Sequence, residues 1–340
     1  MRFSVVADAR CDTMSRMSRR RIGFLSVGVA IIFVVAFLAP GIAAAQAGSA
    51  SALAGKLRAQ RTSATDLEIG GDLPGLPVGT TRYLTREDLL AASLAMTISP
   101  DDGNFKTISQ ARGVLLEDLV HALGAAASDM VVAICKDKYR GHYSRAYLSA
   151  HHPVLVMELD GKPLPGSTET EADDPGPYLI AHVSFPRTSR DPVENDEPQI
   201  PWGVVRLDFR DEETVLDSIK PRIANLQKAV GYGIAEQNCF RCHNNGAEGG
   251  LKSGVTWTVL AVLAANSPQF FTEYVRDPKA KNPKTGMAAS PDYDDATMRA
   301  LIAYFRTFSP IPPEARSRRG HVAESGDREI EEGTIFRAAG

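Results

Sequence analysis

The sequence predicts an α+β protein in which a mixed α/β region precedes an all-α one. Three observations carry that expectation. Strand signals cluster before residue 213, the pattern turns helical from about Asp217, and 340 residues suffice for two ordinary domains.

At the amino terminus, Arg16, Arg19, Arg20 and Arg21 precede an apolar run from Ile22 to Ala39, and Ala43, Ala44, Ala45 and Ala47 follow Pro40. Basic, apolar and small residues in that order make a secretory signal, with cleavage at Ala45 or Ala47. Residues 1–45 are therefore expected to direct export to a periplasmic compartment. If uncleaved, the run approaches the ~20 apolar residues that cross a bilayer and would anchor the chain in the inner membrane. The formal charge is −3. Loss of residues 1–45 removes six arginines and two aspartates, which leaves −7. A net acidic protein is a poor ligand for nucleic acid or an anionic membrane surface, both of which reward clustered Lys and Arg, so neither is expected as a partner.

Residues 46–83 are rich in Ala, Gly, Ser and Thr, with Gly70, Gly71, Pro74, Gly75 and Pro77 as punctuation, and read as a linker. The mixed region spans 84–213. Its expected strands are Met130 to Ile134, Val154 to Leu159, Tyr178 to Val183 and Val204 to Phe209, and its helices Arg86 to Ala92 and Leu115 to Leu123. Glu117 and Asp118 sit where a helix dipole favours acid. Pro186 to Pro201 reads as a long surface loop. Beyond it Ile219, Ile223, Leu226 and Val230 recur at helical spacing, and no strand is expected again before Pro310. The charged tail 310–340 is short of large apolar residues and is expected to be disordered.

The chemistry is concentrated in Cys239, Phe240, Arg241, Cys242, His243. A C-x-x-C-H segment places two thiols one helical turn apart, where they take the two vinyl groups of a haem, with an adjacent imidazole to reach the iron. Composition alone would produce such a segment about 0.001 times in a chain like this one. A redox dithiol or half a zinc site are the chemical rivals. No second C-x-x-C and no thioredoxin-like βαβ pattern accompanies the motif, and the odd number of cysteines left after export (Cys135, Cys239, Cys242) is a poor disulfide framework. The expectation is one covalent haem c on Cys239 and Cys242, with His243 as axial ligand.

An electron carrier needs a sixth iron ligand, and a Met thioether stabilises ferrous iron. Met287 lies in the Pro/Gly-interrupted stretch Asn282 to Met287, ahead of a final helix, where a loop lets its sulfur bend toward the iron. Met298 is the competing sulfur, but with Leu301, Ile302 and Phe305 it forms the stripe of a core-facing helix side. His121, His142, His151, His152 and His182 fall in the mixed region and His321 in the tail.

Over Leu216 to Ser309 (domain 216–309) the order of parts resembles the class I cytochrome c family. Gly231 stands eight residues before Cys239, where the family keeps a glycine at the crossing of its first and last helices. Then come C-F-R-C-H, the segment Ser267 to Pro283, the Met287 loop and the stretch Asp294 to Phe308. The resemblance implies that family's all-α fold, single-electron transfer and redox partner proteins. Departures are Ala235 where an aromatic is common, Gly254 and Val255 in place of the Gly-Pro whose carbonyl steadies the axial His, and Ala288 in place of a Pro after the Met.

The region 84–213 resembles part of the molybdopterin-binding domain of sulfite oxidase relatives, through LTREDLL at 84–90, GVLLEDLVHALG at 113–124, LVMELDGKPLP at 155–165 and PYLIAHV at 177–183. That family holds its metal by a Cys preceding the second of these segments, and residues 84–113 contain no Cys. Cys135, at the end of an apolar strand, reads as a buried structural thiol. Two functions follow: an exported haem carrier with a noncatalytic docking domain and no catalytic residues, which the missing soft ligand favours, or the haem-containing subunit of a molybdopterin-dependent oxidoreductase. The cluster Lys136, Lys138, Tyr139, Arg140, His142, Tyr143, Arg145, Tyr147, His151 and His152 reads as an anion or pterin-phosphate site, a docking face for an acidic haem domain, or a solvated surface.

Overall fold

The structure is a computed structural model and describes residues 53–103, 105, 110–165, 175–185, 197–221 and 225–310. The export segment 1–45, the tail beyond 310 and most of the expected loop at 186–196 lie outside the described residues.

The described part begins as a sheet and ends as helices. Strands β1 (Leu67–Gly71), β2 (Arg82–Leu84), β3 (Met96–Ile98), β4 (Ala111–Leu115), β5 (Met130–Cys135), β6 (Arg140–Ser144), β7 (Val154–Leu159), β8 (Lys162–Pro163), β9 (Tyr178–Ala181) and β10 (Trp202–Arg210) make one sheet. Its main path runs β2-β1-β10-β9-β7-β4-β3, and the β5–β6 hairpin branches off β10. Among the described residues only β1 and β10 run parallel, the other pairs being antiparallel. Short helices α1 (Arg86–Ala91), α2 (Leu116–Ala122) and α3 (Arg145–His151) lie between strands, and α4 (Glu212–Asp217) follows β10. Thr85 and Ser144 cap α1 and α3 through their hydroxyls, accepting from Asp88 N and Tyr147 N, which explains where those helices begin.

Residues 46–83 are not simply a linker. Leu67 and Ile69 are fully buried on β1, which pairs with β10 from Glu68–Arg206 to Gly71–Phe209, so this stretch completes the sheet. Its many glycines concealed a five-residue strand whose burial comes from a partner some 140 residues away.

The second region is α5 (Leu226–Asn238), α6 (Trp257–Asn266), α7 (Pro268–Arg276), α8 (Pro278–Lys281) and α9 (Asp295–Phe305), the last closed by a 3-10 turn at Arg306–Phe308. The expected run of helix through 217–230 is broken. Ile219 is buried in the turn after α4, α5 starts only at Leu226 with Asn225 as its cap, and Leu226 itself is 83% exposed; Ile223 lies outside the described residues. Where α5 crosses α9, a Cβ on Gly231 would strike the Ala300 carbonyl oxygen and come within 2.7 Å of the Tyr304 Cβ. Only glycine lets the two backbones approach so closely.

The two regions share one strand. Val131, Ala133 and Cys135 of β5 point into the sheet's own core with Tyr143, Leu207 and Phe209. Met130 and Val132 point the other way, into a core built with Val215, Ile219, Ile234, Phe240, Trp257, Leu301 and Phe305. The alternation of a strand thus serves two cores at once.

Candidate haem-binding site

Helix α5 runs directly into the C-x-x-C-H segment. The amides of Cys239 and Phe240 both donate to the Ala235 carbonyl (2.8 and 2.9 Å), and those of Cys242 and His243 to the Cys239 carbonyl (3.1 and 2.9 Å). These bonds add one further helical turn, so Cys239 and Cys242 fall three residues apart on one side. Both are free and part-buried. Burial, with Cys242 as neighbour, pushes the Cys239 thiol up to about 12; burial also raises Cys242. Each is a neutral thiol at pH 7.

The segment 244–256 folds back on this turn. Gly250 N–H donates to Phe240 O (2.8 Å), Ser253 N–H to Cys242 O (3.0 Å) and Trp257 N–H to Asn244 O (2.8 Å). Gly249, at φ +83°, passes against the Phe240 ring and the His243 carbonyl where no Cβ fits. The fold-back delivers the Val255 carbonyl to His243 Nδ1 at 2.6 Å. A carbonyl only accepts, so Nδ1 carries the proton and Nε2 keeps its lone pair. His243 is 8% exposed, and desolvation lowers its pKa, partly opposed by the Val255 bond, so the ring stays neutral. The missing Gly-Pro is thus no loss at this point: the backbone carbonyl at position 255 makes the bond whichever side chain follows it.

The structure brings Cys239, Cys242 and His243 together in one turn. Met287 lies on the loop between α8 and α9, part-buried, with its N–H donating to Thr285 Oγ1 (3.2 Å). That loop hangs from α7 through Tyr274 OH to Thr285 Oγ1 (3.3 Å), Ser290 N–H to Val275 O (3.1 Å) and Arg276 Nε to Tyr293 O (2.8 Å). Met298, 2% exposed, is packed in the core on α9, as its stripe predicts.

The β5–β6 hairpin forms the wall behind the motif. Arg140 N–H donates to Arg241 O (2.9 Å), Leu251 N–H to Lys138 O (2.9 Å) and Arg140 Nη1 to Ala247 O (3.0 Å). Glu248 accepts from Arg210 (2.8 Å) and faces Arg140 at 3.9 Å, while Lys252 pairs with Asp137 at 2.6 Å. His142 stacks on Phe240, centroids 4.7 Å apart and planes 24° off parallel. Its backbone is clamped by Gln199, which accepts from His142 N (2.7 Å) and donates to His142 O (2.6 Å). Burial, with Arg140 and Arg241 nearby, lowers the His142 pKa to about 3.

Much of the basic and aromatic cluster at 136–152 is therefore turned inward. Lys138, Tyr139, Arg140 and His142 meet the helical region, Tyr143 lies in the sheet core, and Arg145 donates to the Ala126 and Ser128 carbonyls. The role of His142 against Phe240 had no signal in the sequence, because the contact joins residues about a hundred positions apart.

The donor set fits a c-type haem: two free thiols at the required spacing and an imidazole whose Nδ1 is committed and whose Nε2 is not. No family model matches the chain. Cytochrome c2 from Blastochloris viridis is similar to it, 36% identical over 101 residues that cover 28% of this chain and 68% of that protein. With the attachment motif, the close crossing at Gly231 and a relative matched over two thirds of its length, this chain belongs to the cytochrome c family.

Proposed function

We propose that this protein is an exported one-electron carrier with one haem c held by Cys239 and Cys242, with His243 Nε2 and Met287 Sδ as axial ligands. The observation that carries the reading is the His243 Nδ1–Val255 bond beside two neutral, unpaired thiols. When bound, the haem supplies an iron centre that gains and loses one electron without a change in the protein's covalent structure. The residues do the rest. Val255 fixes the tautomer and ring plane of His243, the turn Cys239–His243 fixes both sulfurs on one side, and Phe240, Trp257 and Phe305 keep water from the apolar side of the turn. Redox partner proteins exchange the electron, and the periplasm is the compartment that suits such a carrier. Among the described residues no helix is long and apolar enough to cross a membrane.

The sheet region acts in this reading as a noncatalytic docking domain. Cys135, 4% exposed and with its thiol raised by burial, is packed as a core residue rather than presented as a soft metal ligand. Stoichiometric molybdenum in the purified protein would replace this reading with the molybdopterin-dependent oxidoreductase.

The attachment is tested by expression in a host that installs haem c, followed by a denaturing gel stained for haem peroxidase. A stained band is expected, and the Cys239→Ser, Cys242→Ser double variant should lose it entirely. An unstained parent protein defeats the proposal. For the sixth ligand, Met287→Ala should abolish the weak near-infrared sulfur-to-iron band and lower the potential; an unchanged spectrum discards Met287.

A further inference from the structure

We propose that Arg241 is a potential-setting residue, a fixed positive charge held between the two attachment cysteines by the sheet region. The inference rests on the haem attachment proposed above. Arg241 lies one residue before Cys242, on the turn that carries both thiols. Its backbone carbonyl accepts from Arg140 N of β6, and its guanidinium lies beside the Tyr139 hydroxyl at the end of the β5–β6 hairpin. Nε donates to the Gln237 carbonyl in a short bond, and Nη2 reaches Asn238 Oδ1 at 3.4 Å. The side chain is thereby held from two directions, by its own helix and by the sheet.

Three other cations of this wall have carboxylate partners. Arg210 and Arg140 face Glu248, and Lys252 pairs with Asp137. Arg241 differs, since among the described residues no carboxylate lies within ion-pair distance of it and its partners are a carbonyl, an amide and a phenol. A part-buried guanidinium with no carboxylate partner among the described residues is costly for the fold, so its place in a packed position points to a use. Beside a redox centre, an uncompensated cation stabilises the state with one fewer positive charge, which is the reduced one, and does so strongly where water is excluded. The charge on Arg241 therefore raises the reduction potential, and the sheet region contributes to the redox site by holding it.

The test compares the midpoint potentials of purified holoproteins by spectroelectrochemical titration, with Arg241→Met removing the charge and Arg241→Lys keeping it. The Met variant should have a lower potential than the parent and the Lys variant should lie close to the parent, all three with the same Soret and near-infrared spectra. Most of the gap should persist in about 0.5 M salt, because a part-buried charge is screened less than an exposed one. Arg241→Gln, which keeps hydrogen-bonding capacity without the charge, replaces the Met variant if that one does not accumulate. Equal potentials in the parent and the neutral variants, or a Lys variant displaced as far as the neutral ones, overturn the assignment. Haem staining of each band reads attachment separately: an unstained parent defeats the attachment reading, whereas a stained set with equal potentials defeats only the role of Arg241.

Discussion

The sheet region and the helical region use the same kinds of side chain for opposite purposes. In the helical region the reactive groups, Cys239, Cys242 and His243, sit on a single turn whose backbone is committed and whose sulfurs and Nε2 are left unused. In the sheet region many of the conspicuous groups are engaged within the chain: Arg140 bonds the motif's surroundings, His142 stacks on Phe240, and Tyr147 OH, His182 and Asp102 form a buried chain at 3.2 Å and 3.2 Å. A cluster of basic and aromatic residues is thus not a ligand site when its partners lie within the same chain. The difference teaches that availability of donor atoms, more than their density, marks the reactive region.

The comparison breaks most sharply at the helix crossing. Gly231→Ala should cost about 3 kcal/mol, because the new methyl meets backbone that cannot retreat, and the melting temperature of the holoprotein should fall. Gly233→Ala, on the same helix but facing open space, should instead stabilise by about 0.5–1 kcal/mol through helix propensity. A destabilised Gly233 variant would show that α5 is not the straightforward helix described here.

Next in size is the shared strand. Val131→Ala and Val132→Ala each empty about 2 kcal/mol of packing by urea denaturation, but from different cores. Only Val132→Ala, which loosens the wall against Phe240 and Trp257, should also change the haem absorption spectrum. If the two variants are spectroscopically equal, the regions are coupled less directly than their shared core indicates.

The last comparison is one of pH. The buried His142 stays neutral in the folded protein down to about pH 3, whereas an unfolded histidine takes up a proton near 6.5. Its folded pKa is depressed, so the unfolded state gains a proton first and stability falls as the pH drops through the interval between those values. The slope from this group is at most about 1.4 kcal/mol per pH unit. Urea midpoints at pH 7, 5 and 4 should decline less steeply in His142→Phe, which preserves a ring against Phe240. An identical decline removes His142 from the acid response.

The C-x-x-C-H turn and its helical surroundings were legible in the residues because they are local. C-x-x-C-H works through a single turn, Asp294 caps α9 by accepting from Thr297 N at 2.7 Å, and the stripe of Met298, Leu301 and Phe305 does face the core. The strands from Met130, Val154, Tyr178 and Val204 were visible for the same reason, as apolar runs of the right length. Residues 46–83 were misjudged because β1 is a strand only through its pairing with β10, and the run through 217–230 was misjudged because Leu226 follows a helical period without being buried.

The sequence by itself determined that Cys239, Cys242 and His243 share one turn, since thiol spacing and an adjacent imidazole need only a helical turn to come together. The tertiary structure alone decided that Val255 orients His243, that β5 supplies two cores, and that His142 and Tyr139 stand against the motif. Those contacts join distant stretches of chain, and the free energy that selects them comes from burying both partners at once, which neither stretch records separately.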